Sequence, residues 1–180
     1  LKDKNIKCSV LEHDCVKSWC KTTLKNDVYG QIFAISPKTS AVQLANSETG
    51  IIQDAQYDIY MADAVQVVGK IPFSFRKTGC RAAIISAHKF GGPKGIGALM
   101  FNSKCDLSAQ IRGGKQEMGI RAGTENIFGI VGFEAALNQA KKDINNGLWD
   151  EVSEMRDYFE NEVVDISKST ICIGKGKKRL

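Results

Sequence analysis

Short apolar runs separated by turn-forming residues fill the stretch from Tyr29 to Phe101. Each run is bounded by Gly, Pro, Asn or Ser, which is typical of strand boundaries. In "RAAIIS" the apolar residues occupy consecutive positions, as expected for a strand that helices cover on both faces. The pattern therefore predicts five strands, in the runs "YGQIFAIS", "SAVQLA", "YDIYMADAV", "RAAIIS" and "GALMF".

The connection between the last two runs is short. Only ten residues, Ala87 to Ile96, separate them, and this connection is rich in glycine. Parallel strands need a crossover of about a dozen residues or more. These two strands are therefore predicted to be antiparallel, inside a mixed, mostly parallel sheet of an α/β fold.

Helical periodicity replaces this pattern in the second half of the chain. Apolar residues recur at helical intervals after Thr124, which is a candidate N-cap, and Gly147 is a candidate stop. A second apolar stripe follows at spacings of three and four, and we expect it to face the core. This stripe consists of Leu148, Val152, Met155, Phe159 and Val163.

The length and composition indicate one ordinary globular domain. The chain has 180 residues, of which 43% are hydrophobic, enough to bury a core. No apolar run approaches the ~20 residues that cross a bilayer, so we expect a cytoplasmic protein with no membrane partner. Because the chain opens on Leu1 with charged residues close behind, we interpret it as a piece of a longer protein.

The cysteine spacing and the charge distribution argue against two classes of function, metal binding and nucleic-acid binding. The six cysteines are irregularly spaced, with no C-x-x-C pair and only two histidines, so no metal site is predicted and reduced thiols are expected. The formal net charge is +5, but four positive charges lie in the last six residues. We interpret this basic tail as a solvated end and expect no direct nucleic-acid binding. The four residues are Lys175, Lys177, Lys178 and Arg179.

Two strand ends carry candidate chemistry, because ligands of open α/β sheets bind at the carboxyl ends of the strands. Lys89 follows "AAII" and precedes a glycine-rich turn, where a lysine can form a Schiff base with a carbonyl cofactor. Asp63 ends "YMAD", where a carboxylate can pair with the protonated ring nitrogen that pyridoxal phosphate needs as an electron sink. From the residues alone, a lysine after a strand is usually a surface lysine, and Asp63 can equally be a helix N-cap.

Five ordered motifs resemble one family. The segments "DAVQ", "SAHKFGGPKGIGAL" and "RAGTEN" resemble the pyridoxal phosphate signatures of class V aminotransferases, and specifically of the cysteine desulfurases; "EHDCV" and "LANSETGIIQD" resemble two further motifs. The resemblance implies the large domain of a fold-type I pyridoxal phosphate enzyme, incomplete at both ends. Residues 1–165 would be the central part of the cofactor-binding domain, and residues 166–180 the start of a truncated C-terminal domain.

The resemblance also implies a role for each matching residue. Lys89 would hold the cofactor covalently and be catalytic together with His13, which would stack on the pyridine ring; without the family, His13 would be taken for a surface residue. Asp63 would pair with the pyridinium nitrogen, and Gln66 would hydrogen-bond the phenolic oxygen. The cofactor phosphate would contact Ser86, His88 and, across a homodimer, Thr124 of the neighbouring subunit.

The implied reaction converts L-cysteine into L-alanine. Sulfur would pass to a cysteine of the enzyme and then to an iron–sulfur scaffold or another acceptor. The alternatives are another class V enzyme, such as an aminotransferase or a selenocysteine lyase, and a non-catalytic remnant that only pairs with a partner subunit.

Three features depart from the family pattern. Ser47 stands where an asparagine is expected near the phenolic oxygen of the cofactor. The segments from "KNDVYGQ" to "SAVQLA" and from Gln53 to Asp63 are short for a crossover helix. None of the six cysteines occupies the position of the nucleophile, which would lie beyond Leu180, so we expect the chain alone to make no alanine.

Overall fold

The computed structural model describes residues 5–33, 38–53 and 59–180. Two strands, β1 and β2, form a small parallel pair, and four strands form the main sheet in the order β3-β4-β5-β6. The first three strands of the main sheet are parallel, and β6 is antiparallel to β5. The strands are β1 (Lys7–Ser9), β2 (Lys21–Leu24), β3 (Ala41–Gln43), β4 (Met61–Asp63), β5 (Ala82–Ser86) and β6 (Gly97–Phe101).

Four α-helices and two short 3-10 helices accompany the strands. The 3-10 helices are Ala87–Phe90, directly after β5, and Glu117–Gly119. The α-helices are α1 (Asp14–Lys17), α2 (Phe75–Thr78), α3 (Ile127–Asn145) and α4 (Leu148–Ile166). None of the described helices combines the length and the apolar character needed to span a bilayer.

The main sheet confirms the expected fold class and the expected antiparallel pair. All residues of β3 and β4 are buried, which agrees with strands covered on both faces. Val42 of β3, Ala62 of β4 and Ala83 of β5 belong to the same buried core cluster. Because both faces are buried, a slip of one residue would turn every side chain to the wrong face, so the register is strongly specified.

Helix α3 packs closely over the turn that follows β5. A Cβ placed on Gly92 would lie 3.2 Å from the Cβ of Ala136, and one on Gly132 would lie 2.4 Å from Cγ of Pro93. The helix therefore contacts the turn through small residues, which lets the two backbones approach. This contact fixes the turn relative to the sheet.

The start of α3 differs from the prediction, whereas its end agrees with it. Asn126, not Thr124, is the N-cap, because its side chain accepts the N–H of Gly129 at 3.0 Å. The helix ends at Asn145, and Gly147 adopts the left-handed conformation with φ of +78°. Gly147 thus acts as the predicted stop.

The first predicted strand is wrong in the part that the structure describes. Residues 29–33 form no strand, because the Asp27 carboxylate accepts the N–H groups of Tyr29 and Gln31 at 3.0 and 2.9 Å and folds this stretch into a turn. Residues 34–37 lie outside the described part. Residues 54–58 also lie outside it; they belong to the segment from Gln53 to Asp63 that is short for a crossover helix.

The second apolar stripe does not face a core. In the described structure no residue of α4 is buried, and Met155 and Phe159 are 61% and 66% exposed. Periodicity predicted the helix and its apolar face, but no described element covers that face.

The interpretation of the basic tail as a solvated end is wrong for Lys177 and Arg179, whereas Lys175 and Lys178 are exposed. Lys177 pairs with Asp27 at 3.0 Å, and Arg179 pairs with Glu160 at 2.7 Å. The backbone N–H of Leu180 also donates to the carbonyl of Gly50 at 2.9 Å. All of these partners belong to the same chain. The two ion pairs offset the positive charges of Lys177 and Arg179.

Gly97 tests the close pairing of β5 with β6. A Cβ at this position would lie 2.6 Å from the carbonyl oxygen of Ile85, so Gly97→Ala should push the strands apart beside Ser86 and lower the free energy of unfolding by about 1–3 kcal/mol. Urea denaturation of the protein that carries this chain measures the change. Ala98→Gly in the same strand is the control, with an expected loss of about 0.5–1 kcal/mol. A Gly97→Ala protein as stable as the native one would contradict this tight pairing.

Candidate active site

Two neighbouring parallel strands deliver the central candidates to one edge of the sheet. Asp63 is the last residue of β4, and it lies opposite Ile84 of β5. Lys89 lies three residues beyond Ser86, the end of β5, on the 3-10 turn Ala87–Phe90. Since the carboxyl ends of parallel strands share an edge, Asp63 and the turn that carries Lys89 lie on the same side of the sheet.

Asp63 is a buried carboxylate at the end of β4. It is 2% exposed, and it forms no ion pair with any residue in the described ranges. Its Oδ1 accepts the N–H of Val65 at 3.0 Å, so it caps a turn rather than a helix. Burial raises the pKa of Asp63, while the bond from Val65 and the charge of His13 lower it. A protonated ring nitrogen would supply the missing positive partner.

Lys89 projects from a turn that glycines close. Gly91 has a φ of +85°, and the N–H of Gly92 donates to the carbonyl of Ala87 at 2.9 Å. The Lys89 side chain is exposed, so its amine is accessible to a ligand at the strand edge. Gly91 and Gly95 leave open space where a side chain would otherwise stand.

Ser86 and His88 flank the start of the same turn. The Ser86 hydroxyl and Nδ1 of His88 lie 2.9 Å apart and share a hydrogen bond. A hydroxyl and an imidazole at the end of a strand, next to a glycine-rich turn, are suitable donors for a phosphate group. The donor set and the uncompensated Asp63 therefore fit pyridoxal phosphate.

Gln66 is held by a lysine that the sequence motifs did not single out. Lys70 Nζ donates to both the backbone carbonyl and Oε1 of Gln66, each at 2.9 Å. With Oε1 engaged, the amide NH₂ of Gln66 remains as the donor for an oxygen of a ligand. Burial and, to a smaller extent, the charge of Lys89 lower the pKa of Lys70. The only sequence signal for this role is the i,i+4 spacing of Gln66 and Lys70.

His13 is the N-cap of α1. The residue is exposed, and its Nδ1 accepts the N–H of Cys15 at 3.2 Å and lies 3.0 Å from the Cys15 thiol. Its electrostatic effect on Asp63 brings it to the same site. The pKa of the Cys15 thiol is raised, mainly by burial and further by the charge of Asp63. Cys15 is therefore a poor thiolate nucleophile.

In the motif "LANSETGIIQD", Asn46 is buried and the following Ser47 is exposed. Asn46 is buried, and its Oδ1 accepts the N–H groups of Glu48 and Thr49, each at 2.9 Å. Its amide donates to the carbonyl of Leu11 at 2.8 Å. Ser47 is exposed, and the contact expected from an asparagine at this position stays untested.

Thr124 does not join the other candidates. It is exposed, and it lines a cleft of about 670 Å³ between β6, the segment around Met118 and the start of α3. None of the other predicted site residues lines this cleft. Within one chain, the structure thus groups six of the seven predicted residues around the strand edge and leaves Thr124 apart.

Comparison with known proteins identifies the family of this chain. The aminotransferase class-V family model matches residues 30–179. Among curated proteins, the cysteine desulfurase IscS of Dictyoglomus turgidum is 42% identical over 132 residues, which is 68% of this chain and 33% of that protein. The chain thus spans about a third of the length of this relative.

Solved structures share the fold. The X-ray structure of a NifS-like protein from Rickettsia africae aligns with a TM-score of 0.86 at 25% identity, over 100% of this chain and 56% of that chain. The structure of SspA in complex with cysteine aligns with a TM-score of 0.66 at 28% identity, over 74% of this chain and 46% of that chain. The chain belongs to the class-V aminotransferase family, and within that family its relatives are cysteine desulfurases.

Proposed function

We propose that the protein carrying this chain is a pyridoxal phosphate-dependent cysteine desulfurase. The observation that carries the proposal is the buried, uncompensated Asp63 at the same sheet edge as the turn that bears Lys89. The cysteine desulfurase relatives support the reaction, and the cysteine in the related SspA structure supports L-cysteine as the substrate. When bound, the cofactor supplies an electron sink for bond cleavage in the substrate.

The residues of this chain have separate tasks in the proposal. Lys89 attaches the cofactor through Nζ, and Asp63 holds a proton on the ring nitrogen by its negative charge. Gln66, oriented by Lys70, donates to the phenolic oxygen, while Ser86 and His88 bind the phosphate. His13 stacks against the ring from the α1 side.

The thiol that receives the sulfur is proposed to lie outside this chain. Cys15 is the cysteine in contact with His13, but its raised pKa disfavours the thiolate. Sulfur would pass from the enzyme thiol to an iron–sulfur scaffold or another acceptor. The cytoplasm is the proposed compartment, because six free cysteines remain reduced there.

A homodimer is proposed to complete the site. Thr124 lies apart from Lys89 in one chain, yet it is exposed beside an apolar surface that includes Met118 and Phe128, which are 83% and 91% exposed. A second copy that covers this surface would place its Thr124 hydroxyl at the phosphate of the first copy. Such an exposed apolar surface is typical of a subunit interface.

Lys89→Ala should abolish covalent attachment of the cofactor in the full-length protein. Reduction with borohydride followed by peptide mapping should place the cofactor on Lys89 in the native protein and on no peptide of the variant. Lys94→Ala is the matched control, because Lys94 is an exposed lysine close to the same turn. Cofactor found on another lysine would refute the assignment of the site.

Asp63→Asn should lower turnover far more than it lowers cofactor binding. Loss of a nearby negative charge shifts the pKa of a cationic partner by about 1–3 units, so the protonated ring population and the rate should fall by about 10- to 1000-fold. The measurement is alanine formation from cysteine together with a cofactor-binding titration. Near-normal turnover would show that Asp63 serves only to cap its turn.

Mixing two inactive variants tests the shared site. In a dimer of one Lys89→Ala subunit and one Thr124→Asp subunit, one site carries both changes and the other carries neither. Random pairing should therefore restore about a quarter of the native activity, while each variant alone stays inactive. If stable mixed dimers recover no activity, Lys89 and Thr124 belong to the site of the same subunit.

A further inference from the structure

A second buried carboxyl lies beside the proposed site, at Glu12. The residue is 4% exposed, and its Oε1 accepts the backbone N–H of Gln43 at 2.9 Å. The other oxygen, Oε2, is buried and has no hydrogen-bond partner among the described residues. Since nearly all buried polar groups are hydrogen-bonded, an unpartnered carboxylate oxygen here requires an explanation.

The strand pairing brings Glu12 next to Asp63. Gln43, which binds Glu12, is the last residue of β3 and lies opposite Asp63 in the parallel pair of β3 with β4. The backbone N–H of Leu44 also donates to the Asp63 carbonyl at 2.8 Å. Glu12, in the loop between β1 and α1, and Asp63, at the end of β4, are both buried. Two neighbouring buried carboxyls repel each other when both are charged, so the ionised pair is disfavoured.

The surroundings of the two carboxyls differ. The pKa of Glu12 is raised to about 8, mainly by burial and in part by the charge of Asp63, while the bond from Gln43 lowers it. Burial also raises the pKa of Asp63, while the bond from the Val65 N–H and the electrostatic effect of His13 lower it. Glu12 has one N–H and no cation among the groups that act on it in the described structure.

Other titratable groups face Glu12 from the packed elements. Cys8 of β1, Cys20 before β2 and Cys15 of α1 are thiols whose raised pKa values are due mainly to burial, with a contribution from Glu12. None of these thiols can supply a positive charge. The neutral acid is therefore the form of Glu12 that this environment favours.

We propose that Glu12 is a positioning residue that stays uncharged at neutral pH, so that Asp63 alone carries the negative charge of the pair. The role of Asp63 as ring partner rests on the proposed function, whereas the charge state of Glu12 does not depend on a bound cofactor. Glu12 acts through Asp63 and contacts neither substrate nor cofactor. Its protonated carboxyl keeps Oε1 free to accept from Gln43 and removes the charge from the unpartnered Oε2.

The test is the pH dependence of unfolding of the full-length protein without cofactor. A carboxyl whose folded pKa exceeds its unfolded value stabilises the fold most at low pH, and this contribution is lost as the pH rises to the folded pKa. Relative to Glu12→Gln, the native protein should therefore lose about tenfold in its folding equilibrium constant per pH unit, between about 4.5 and about 8. The exposed Glu154→Gln is the matched control and should follow the native profile.

Asp63→Asn adds a readout that a merely structural glutamate would not change. Removing the Asp63 charge lowers the folded pKa of Glu12, so the pH window of lost stability should end earlier than in the native protein.

The outcomes separate this inference from the proposed function. A constant stability difference between native and Glu12→Gln proteins from pH 5 to pH 9 would overturn it, whatever lysine carries the cofactor. If Glu12→Gln does not fold, NMR of the native protein with carboxyl-labelled glutamate decides. One glutamate that titrates near pH 8 supports the inference, and titration of all glutamates below pH 6 overturns it.

Discussion

The in-register pairing of β4 with β5 is the constraint on which the candidate site depends. It sets Met61 opposite Ala82 and Asp63 opposite Ile84, so both strands reach the same edge of the sheet. Ala62 and Ala83, which face each other in this register, are fully buried. A shift of one residue would turn these core residues and Asp63 to the opposite face of the sheet. Core packing therefore holds the carboxylate at the ligand-binding edge.

The lysine depends on a second constraint, the closure of the turn after β5. The antiparallel return of β6 brings Gly97 against the backbone of Ile85, and the N–H of Ala87 donates to the Ile96 carbonyl at 3.1 Å. Helix α3 then contacts the turn from outside, where Ala136 approaches Gly92. A turn held from both sides can direct Lys89 without burying its amine, and exposure keeps the amine available for a carbonyl compound.

Sequence pattern predicted the parts of this fold that core packing decides. The runs around β3 and β4 are strands in which every residue is buried, and the short connection of Ala87 to Ile96 forced the antiparallel pair of β5 with β6. The run after Asp27 failed because one carboxylate captured two backbone N–H groups and favoured a turn over a strand. The α4 stripe failed differently, since periodicity identifies an apolar face but not the element that covers it.

The candidate site was predictable where a motif marks a strand end, and less so where a side chain acts on another one. Hydrophobic periodicity marks neither Glu12 nor Lys70. The proposed role of Glu12 depends on its contact with Gln43, which is distant in sequence, and the role of Lys70 depends on Gln66, four residues before it. Burial raises the pKa of the acid and lowers the pKa of the base, so it favours the neutral form of both. Glu12 and Lys70, which flank the strand edge, therefore carry less charge. The bond from the Val65 N–H and the nearby His13 lower the pKa of Asp63, so they favour its ionised form.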